Sequence, residues 1–239
     1  IKKISKIILY LTAFLLPLLV FDNLYFPYIT SKVFAFKIIV EILFGLWLMA
    51  ILKDKSYLPK ISPIFLALSV FIGVITLAAV FGLNPQRSFW SNFERSEGLI
   101  LHLHLFVFFI VLSAFLRTQK DWFYFGVSAA LGSVFVALIA LNNYFNPGLS
   151  ASFSSRPFGP LGNSIYLAQY LSFFLFFLIL FFIKTRDWRL KFGIFYIFIL
   201  LFSAFLLTLS RGPILGFIGG IFAVLLSFLI FSAQSKKQK

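Results

Sequence analysis

The chain has 239 residues, 61% of them hydrophobic and only 12% charged, with 36 phenylalanines and a mean hydropathy of +1.01. Soluble domains carry about 25% charged residues, so these proportions exclude a soluble globular protein and specify one that lives in a bilayer. The formal net charge of +14 does not point to nucleic acid, because no basic stripe interleaves with polar aromatics on a soluble element, and it reads as a topological signal against an anionic leaflet.

A spanning helix needs about 20 apolar residues, and runs of that length occur at 4–21, 33–52, 61–82, 98–116, 123–145, 164–183, 192–209 and 212–232. They predict an all-α, polytopic integral membrane helical bundle of about eight transmembrane helices, forming a single transmembrane domain over 1–239. Transmembrane strands would instead alternate apolar and polar side chains over about 10 residues, and the sequence has no such alternation. The first run opens with Lys2, Lys3 and Lys6, but its apolar stretch is long and no small-x-small site follows. It is therefore expected to be a retained helix and not a cleaved signal.

Positive charge sets the expected direction. With the N-terminus inside, 15 of the 21 lysines and arginines fall in inner segments and five in outer ones, namely Lys32, Arg87, Arg95, Arg156 and Arg211. The remaining one, Lys37, lies within the second span, four residues before Glu41, so the two share a helix face and can pair inside the membrane.

Three outer segments stand out. The first, "GLNPQRSFWSNFERSEG" (82–98), sets Arg87, Glu94, Arg95 and Glu97 among Phe89, Trp90 and Phe93. It supports two readings: an interfacial segment with aromatics at headgroup depth, or one whose arginines help line a site for an anionic headgroup or substrate. His102 and His104 follow in "LHLHL", but positions two apart on a helix point about 200° apart and cannot share a metal. With no cysteine in the chain, no metal site is expected, nor any disulfide.

The second, "NNYFNPGLSASFSSRPFGPLGNSIYLAQY" (142–170), is broken by Pro147, Gly148, Pro157, Gly159, Pro160 and Gly162, which rule out a continuous helix. Asn163 stands where a helix N-cap belongs, just before the sixth span. A helix start presents unpaired N–H groups and partial positive charge, a seat for phosphate that Arg156 would complete; an ordinary loop and cap is the alternative.

The third is "LLTLSRGPILGFIGG" (206–220), where Arg211 is the only charge between 192 and 231. That length of apolar chain makes two helices with the arginine at the turn between them. A positive residue is poorly placed at a helix N-terminus unless an anion shares the site, and a guanidinium binds phosphate oxygens by two bonds. Snorkelling to lipid phosphate is the alternative.

Together "RSFWSNFERSEGLILHLHL", "RPFGPLGNSIYLAQYL" and "LLTLSRGPILG" resemble the O-antigen ligase family of bacterial membrane proteins, related to O-antigen polymerases and protein O-oligosaccharyltransferases. The likeness runs from about Tyr25 to Gly220. It implies a GT-C-like fold in the bacterial inner membrane, N-terminus cytoplasmic. The implied activity moves a glycan from undecaprenyl pyrophosphate to an acceptor, such as lipid A core, polysaccharide or protein, with no metal and no cofactor. The implied partners are that lipid-linked glycan, the acceptor and membrane lipids. On this likeness Arg211 matches the arginine that holds the pyrophosphate, with Arg156 and Asn163 nearby, while Arg87 and Arg95 are candidates from the charge pattern alone. The family usually continues with more spans and a large outer loop carrying a histidine, whereas this chain stops at "SAQSKKQK". A fragment of a longer protein is thus expected, or a relative that binds donor without completing transfer; the start at Ile1 favours the fragment.

Overall fold

The computed structural model of the chain describes residues 1–92, 94–146 and 156–237, with side chains described as far as Ser227 in the last stretch. Pro147, Gly148 and Phe93 lie outside the described residues. The described chain is helical throughout, without strands, and falls into two compact units, Ile1–Gly132 and Ser133–Lys239.

The first unit contains α1 (Lys2–Leu15), α2 (Pro27–Lys53), α3 (Pro63–Val80), the short α4 (Pro85–Trp90), α5 (Leu99–Phe115) and the first half of α6 (Gln119–Phe145). Here the expectation for the first span needs correction: 4–21 is not one helix. The ring of Pro17 blocks continuation, so the α-helix ends at Leu15 and closes in a 3-10 turn, Leu16–Leu18. The freed chain beyond is tied to the start of α2, where Lys32 Nζ donates to the Leu19 carbonyl at 2.8 Å and Ser31 Oγ accepts from the Phe21 amide at 2.9 Å. Helix α2 begins at Pro27, six residues before the predicted edge, because the proline fits a first helical turn.

Helix ends sort to two ends of this unit. At one, Lys6 of α1 is paired with Asp121 of α6, and Arg117 donates through Nη2 to the Ser56 carbonyl at 2.7 Å. At the other, Thr30 of α2 donates to the Glu94 carbonyl at 3.1 Å, below α4. A core of Leu9, Leu43, Ala50, Val111, Phe115 and Leu116 joins α1, α2 and α5.

The second unit contains the rest of α6, then α7 (Ser164–Lys184), α8 (Trp188–Leu207) and α9 (Arg211–Lys237), with α7 packed against both α8 and α9. Its core is Leu167, Leu171, Leu175, Leu201 and Phe205, all 0–1% exposed. Ahead of α7, a 3-10 turn at Gly159–Leu161 lies buried against α6. Only glycine serves at 159: its φ is +53°, and a Cβ there would stand 3.0 Å from the Ala140 Cβ.

Large apolar side chains are also widely exposed, and some hydroxyls are buried. Helix α1 turns Ser5 and Thr12 inward while Ile4, Ile7 and Leu11 are about half exposed, and α3 buries Ala79 alone while Val70, Val74 and Leu77 are open. The inward hydroxyls are satisfied within the helix, as Thr12 Oγ1 donates to the Ile8 carbonyl at 2.7 Å. Outward apolar and inward hydrogen-bonded side chains are what a lipid solvent requires.

Among the described residues five helices, α2, α3, α6, α7 and α8, are long and apolar enough to cross a membrane. Helix α5 with 17 residues and the 211–227 part of α9 are apolar but shorter, and α1 has 14. Each predicted run therefore overlaps a helix, the first only in part, and among the described residues five meet both the length and the apolarity of a span.

Candidate functional site

The break expected at Arg211 is present and tightly built. Helix α8 stops at Leu207, and Thr208 Oγ1 donates back to the Phe205 carbonyl at 2.7 Å. Leu209 then takes a left-handed conformation, φ 50°, which costs a non-glycine residue about 1–2 kcal/mol. Buried Ser210 holds it there: its amide donates to Thr208 Oγ1 at 3.3 Å, and its Oγ donates to the Ser164 carbonyl at 3.2 Å. That last bond fastens the beginning of α9 to the beginning of α7.

Two helix starts are thereby set side by side. Asn163 caps α7, its Oδ1 accepting from the Ile165 amide at 2.7 Å. Arg211 and Gly212 open α9, so their amides have no preceding carbonyl in the helix to bond. A cavity of about 470 Å³ lies here, lined by Arg156, Ile165, Gln169, Ser210, Arg211 and Gly212 among others. Among the described residues no acidic side chain lines it. Arg211 is exposed and makes no side-chain hydrogen bond or ion pair among the described residues. A Cβ built on Gly212 meets nothing within 4 Å, so the space over this backbone is open.

Of the residues singled out from sequence, Arg156 and Arg211 line one cavity, and Asn163 shapes it by capping α7. Gln169 and Ser210 were not singled out. Gln169 had a signal, since it is an amide inside an apolar helix, one turn and a half past the cap; Ser210 had none, because its role is a contact to a carbonyl 46 residues away.

Arg87 and Arg95 belong to the first unit. Asn84 Oδ1 accepts from the Arg87 amide and Asn92 Oδ1 from the Arg95 amide, both at 3.0 Å, and both arginines are exposed. The nearby cavity, about 330 Å³, is lined by Ser88, Glu97, Gly98 and His102, with neither arginine in its wall. Gly98 passes so close to Phe89 that a Cβ would lie 2.2 Å from its carbonyl oxygen. Ser91 and Ser96 both take positive φ, 62° and 47°. With Leu209, they are the non-glycine residues in that region among the described ones, and all sit within a few residues of a candidate arginine.

Glu41 also meets a side chain of another helix. Its Oε1 lies 3.4 Å from His104 Nε2 on α5, one turn from Lys37 on its own helix. His104 Nδ1 stands 2.7 Å from the Ile100 carbonyl, which can only accept, so that nitrogen carries a proton. His102 turns elsewhere, to the Gly98 carbonyl and the ring of Phe71 on α3. Among the described residues no three His, Asp or Glu side chains are grouped to hold a metal.

The described fold and burial define a helical membrane protein. No family model, no curated protein and no solved structure matches the chain.

Proposed function

We propose that the chain is an O-antigen ligase-like membrane glycosyltransferase, acting on undecaprenyl pyrophosphate-linked glycan at the outer face of the bacterial inner membrane. The observation that carries the reading is the cavity at the starts of α7 and α9, walled by Arg156 and Arg211 with no carboxylate. Two guanidinium groups and two helix starts make a positive site of headgroup size beside apolar helices, the demand of a diphosphate on a polyprenyl tail.

In the proposed step the acceptor hydroxyl attacks the anomeric carbon with inversion. The bond from that carbon to the pyrophosphate oxygen breaks, and the pyrophosphate leaves carrying the electron pair. Arg211 and Arg156 stabilise its developing charge, while a general base takes the hydroxyl proton. The orientation, N-terminus cytoplasmic, puts Arg211 on the outer side, and the eight-helix GT-C-like bundle is part of the same reading.

Losing one preorganised charge contact of this kind costs about 10²–10³ in rate. Arg211→Ala and Arg211→Lys, tested in the full protein with lipid-linked glycan and acceptor, should each lose transfer by that factor while inserting normally. Full transfer by both variants removes Arg211 from the mechanism. A second reading, movement of the same lipid across the bilayer unchanged, draws on the Glu41–His104 pair inside α2 and α5, since transporters place ionisable groups there. Reconstituted vesicles separate the two: glycan joined to acceptor supports the enzyme, and unmodified lipid-linked glycan in the opposite leaflet supports the transporter.

A further inference from the structure

The first unit holds a second cavity, of about 360 Å³, at the end where α5 finishes and α3 and α6 begin. Its walls are mixed in a particular way. Phe65, Phe109 and Trp122 give an apolar side, while Lys60, Arg117 and Ser62 give a polar one. Ser62 is the N-cap of α3, its Oγ accepting from the Phe65 amide at 3.2 Å, so a helix start also faces this end.

Charge accounting decides what such a space can hold. Arg117 is rigidly placed: Nε donates to the Ala114 carbonyl at 2.8 Å, Nη1 to Ser56 Oγ at 3.2 Å and Nη2 to the Ser56 carbonyl at 2.7 Å, with the guanidinium 4.2 Å from the centre of the Tyr57 ring. It makes no ion pair among the described residues, and its remaining N–H groups are unspent. Lys60 is exposed and makes no bond or ion pair among them.

The two carboxylates in the neighbourhood are engaged elsewhere. Asp54 accepts from the Ser56 amide at 2.8 Å and from Ser56 Oγ at 2.7 Å; these bonds, with a smaller contribution from the Arg117 charge, hold its carboxyl below the usual range. Asp121 is paired with Lys6 and accepts from the Arg117 and Thr118 amides at 3.2 and 3.1 Å. The cavity is left with two cations on one side and aromatic rings on the other.

We infer that this cavity binds the headgroup and upper acyl chain of an anionic glycerophospholipid, with Lys60 and the fixed Arg117 on the phosphate and Trp122, Phe65 and Phe109 along the hydrocarbon. Free phosphate shares the anion but not the tail, and the aromatic wall is what favours the lipid. A basic pocket between membrane helices, with a tryptophan at its rim, is suited to such a headgroup. The inference is independent of the glycan-transfer reading, because it uses only residues of the first unit.

The full chain, purified in a mild detergent, is mixed with dioleoyl phosphatidylglycerol or dioleoyl phosphatidylcholine, and bound lipid is counted by native mass spectrometry. Phosphatidylglycerol should be retained in preference to phosphatidylcholine, and Lys60→Gln should weaken its binding about fivefold, the effect of one basic residue near a headgroup. Lys60→Arg should restore it, and Lys55→Gln, a lysine of the same end outside the cavity wall, should leave it unchanged. Lys60 is exposed and makes no hydrogen bond or ion pair among the described residues, so its variants are expected to fold. Equal retention of the two lipids overturns the inference. So does an equal loss in Lys60→Gln and Lys55→Gln, and so does inorganic phosphate alone binding in a Lys60-dependent way and displacing the lipid.

Discussion

Gly212 separates structural demand from ligand demand more cleanly than any other residue of the candidate site. Nothing in the protein stands within 4 Å of the Cβ that alanine would add, and glycine within a helix is less stable than alanine by about 0.5–1 kcal/mol. Gly212→Ala should therefore leave thermal stability in detergent equal or slightly higher. If a diphosphate approaches that backbone, the same variant should lose donor affinity by about tenfold, a bound set by one methyl group crowding the site. Unchanged affinity for the lipid pyrophosphate would mean that the ligand sits elsewhere. Tyr170 poses a complementary case on α7: its hydroxyl is buried with no hydrogen-bond partner among the described residues. An unpaired buried hydroxyl costs about 1–3 kcal/mol, so Tyr170→Phe should raise the melting temperature; a lowered one would show that the hydroxyl has a partner when the protein is in its membrane.

Asn163 acts at the scale of the element, because it ends a loop and starts α7 through one bond of 2.7 Å to the Ile165 amide. Asn163→Ala should cost about 1 kcal/mol of stability, the ordinary loss of an N-cap. Asn163→Asp keeps the cap and suits the helix dipole, so stability should hold. It also brings a negative charge to the start of α7, beside the cavity of Arg156 and Arg211, and binding of a pyrophosphate lipid should fall. Measured together, melting temperature and lipid binding would move in opposite patterns for the two variants; a joint loss in both would reduce Asn163 to a capping role. The break between α8 and α9 was legible because 40 apolar residues exceed one span and carry a single arginine. The short α1 was less so, since Pro17 sits deep in an apolar run and its effect depends on Lys32 and Ser31 being available to receive the freed backbone.

At the scale of the whole molecule the charge distribution makes a prediction about sidedness. The chain has no cysteine, so single-cysteine variants report without background. Gln86→Cys and Leu209→Cys, both exposed positions near candidate arginines, should react with a membrane-impermeant maleimide added from outside. Lys55→Cys should react only after permeabilisation. The reverse pattern would put Arg211 on the cytosolic side and end the proposed donor site. Exposed apolar surface on α1 and α3, half-open at Ile4, Ile7 and Val70, is consistent with lipid as the surrounding solvent.

Composition and the length of apolar runs by themselves determined that this is a helical membrane protein, roughly where its long helices lie, and that Arg211 opens one of them. These features are local, since each depends on neighbours within one turn or on solvent preference summed along a segment. Tertiary structure alone decided the rest. It brought Arg156 and Arg211 to one cavity through Ser210 and Ser164, left Arg87 and Arg95 out of the wall of the cavity near them in the first unit, and set Glu41 beside His104 of another helix. Those outcomes depend on which helix faces meet, and contacts between residues tens of positions apart leave no periodic trace in the chain.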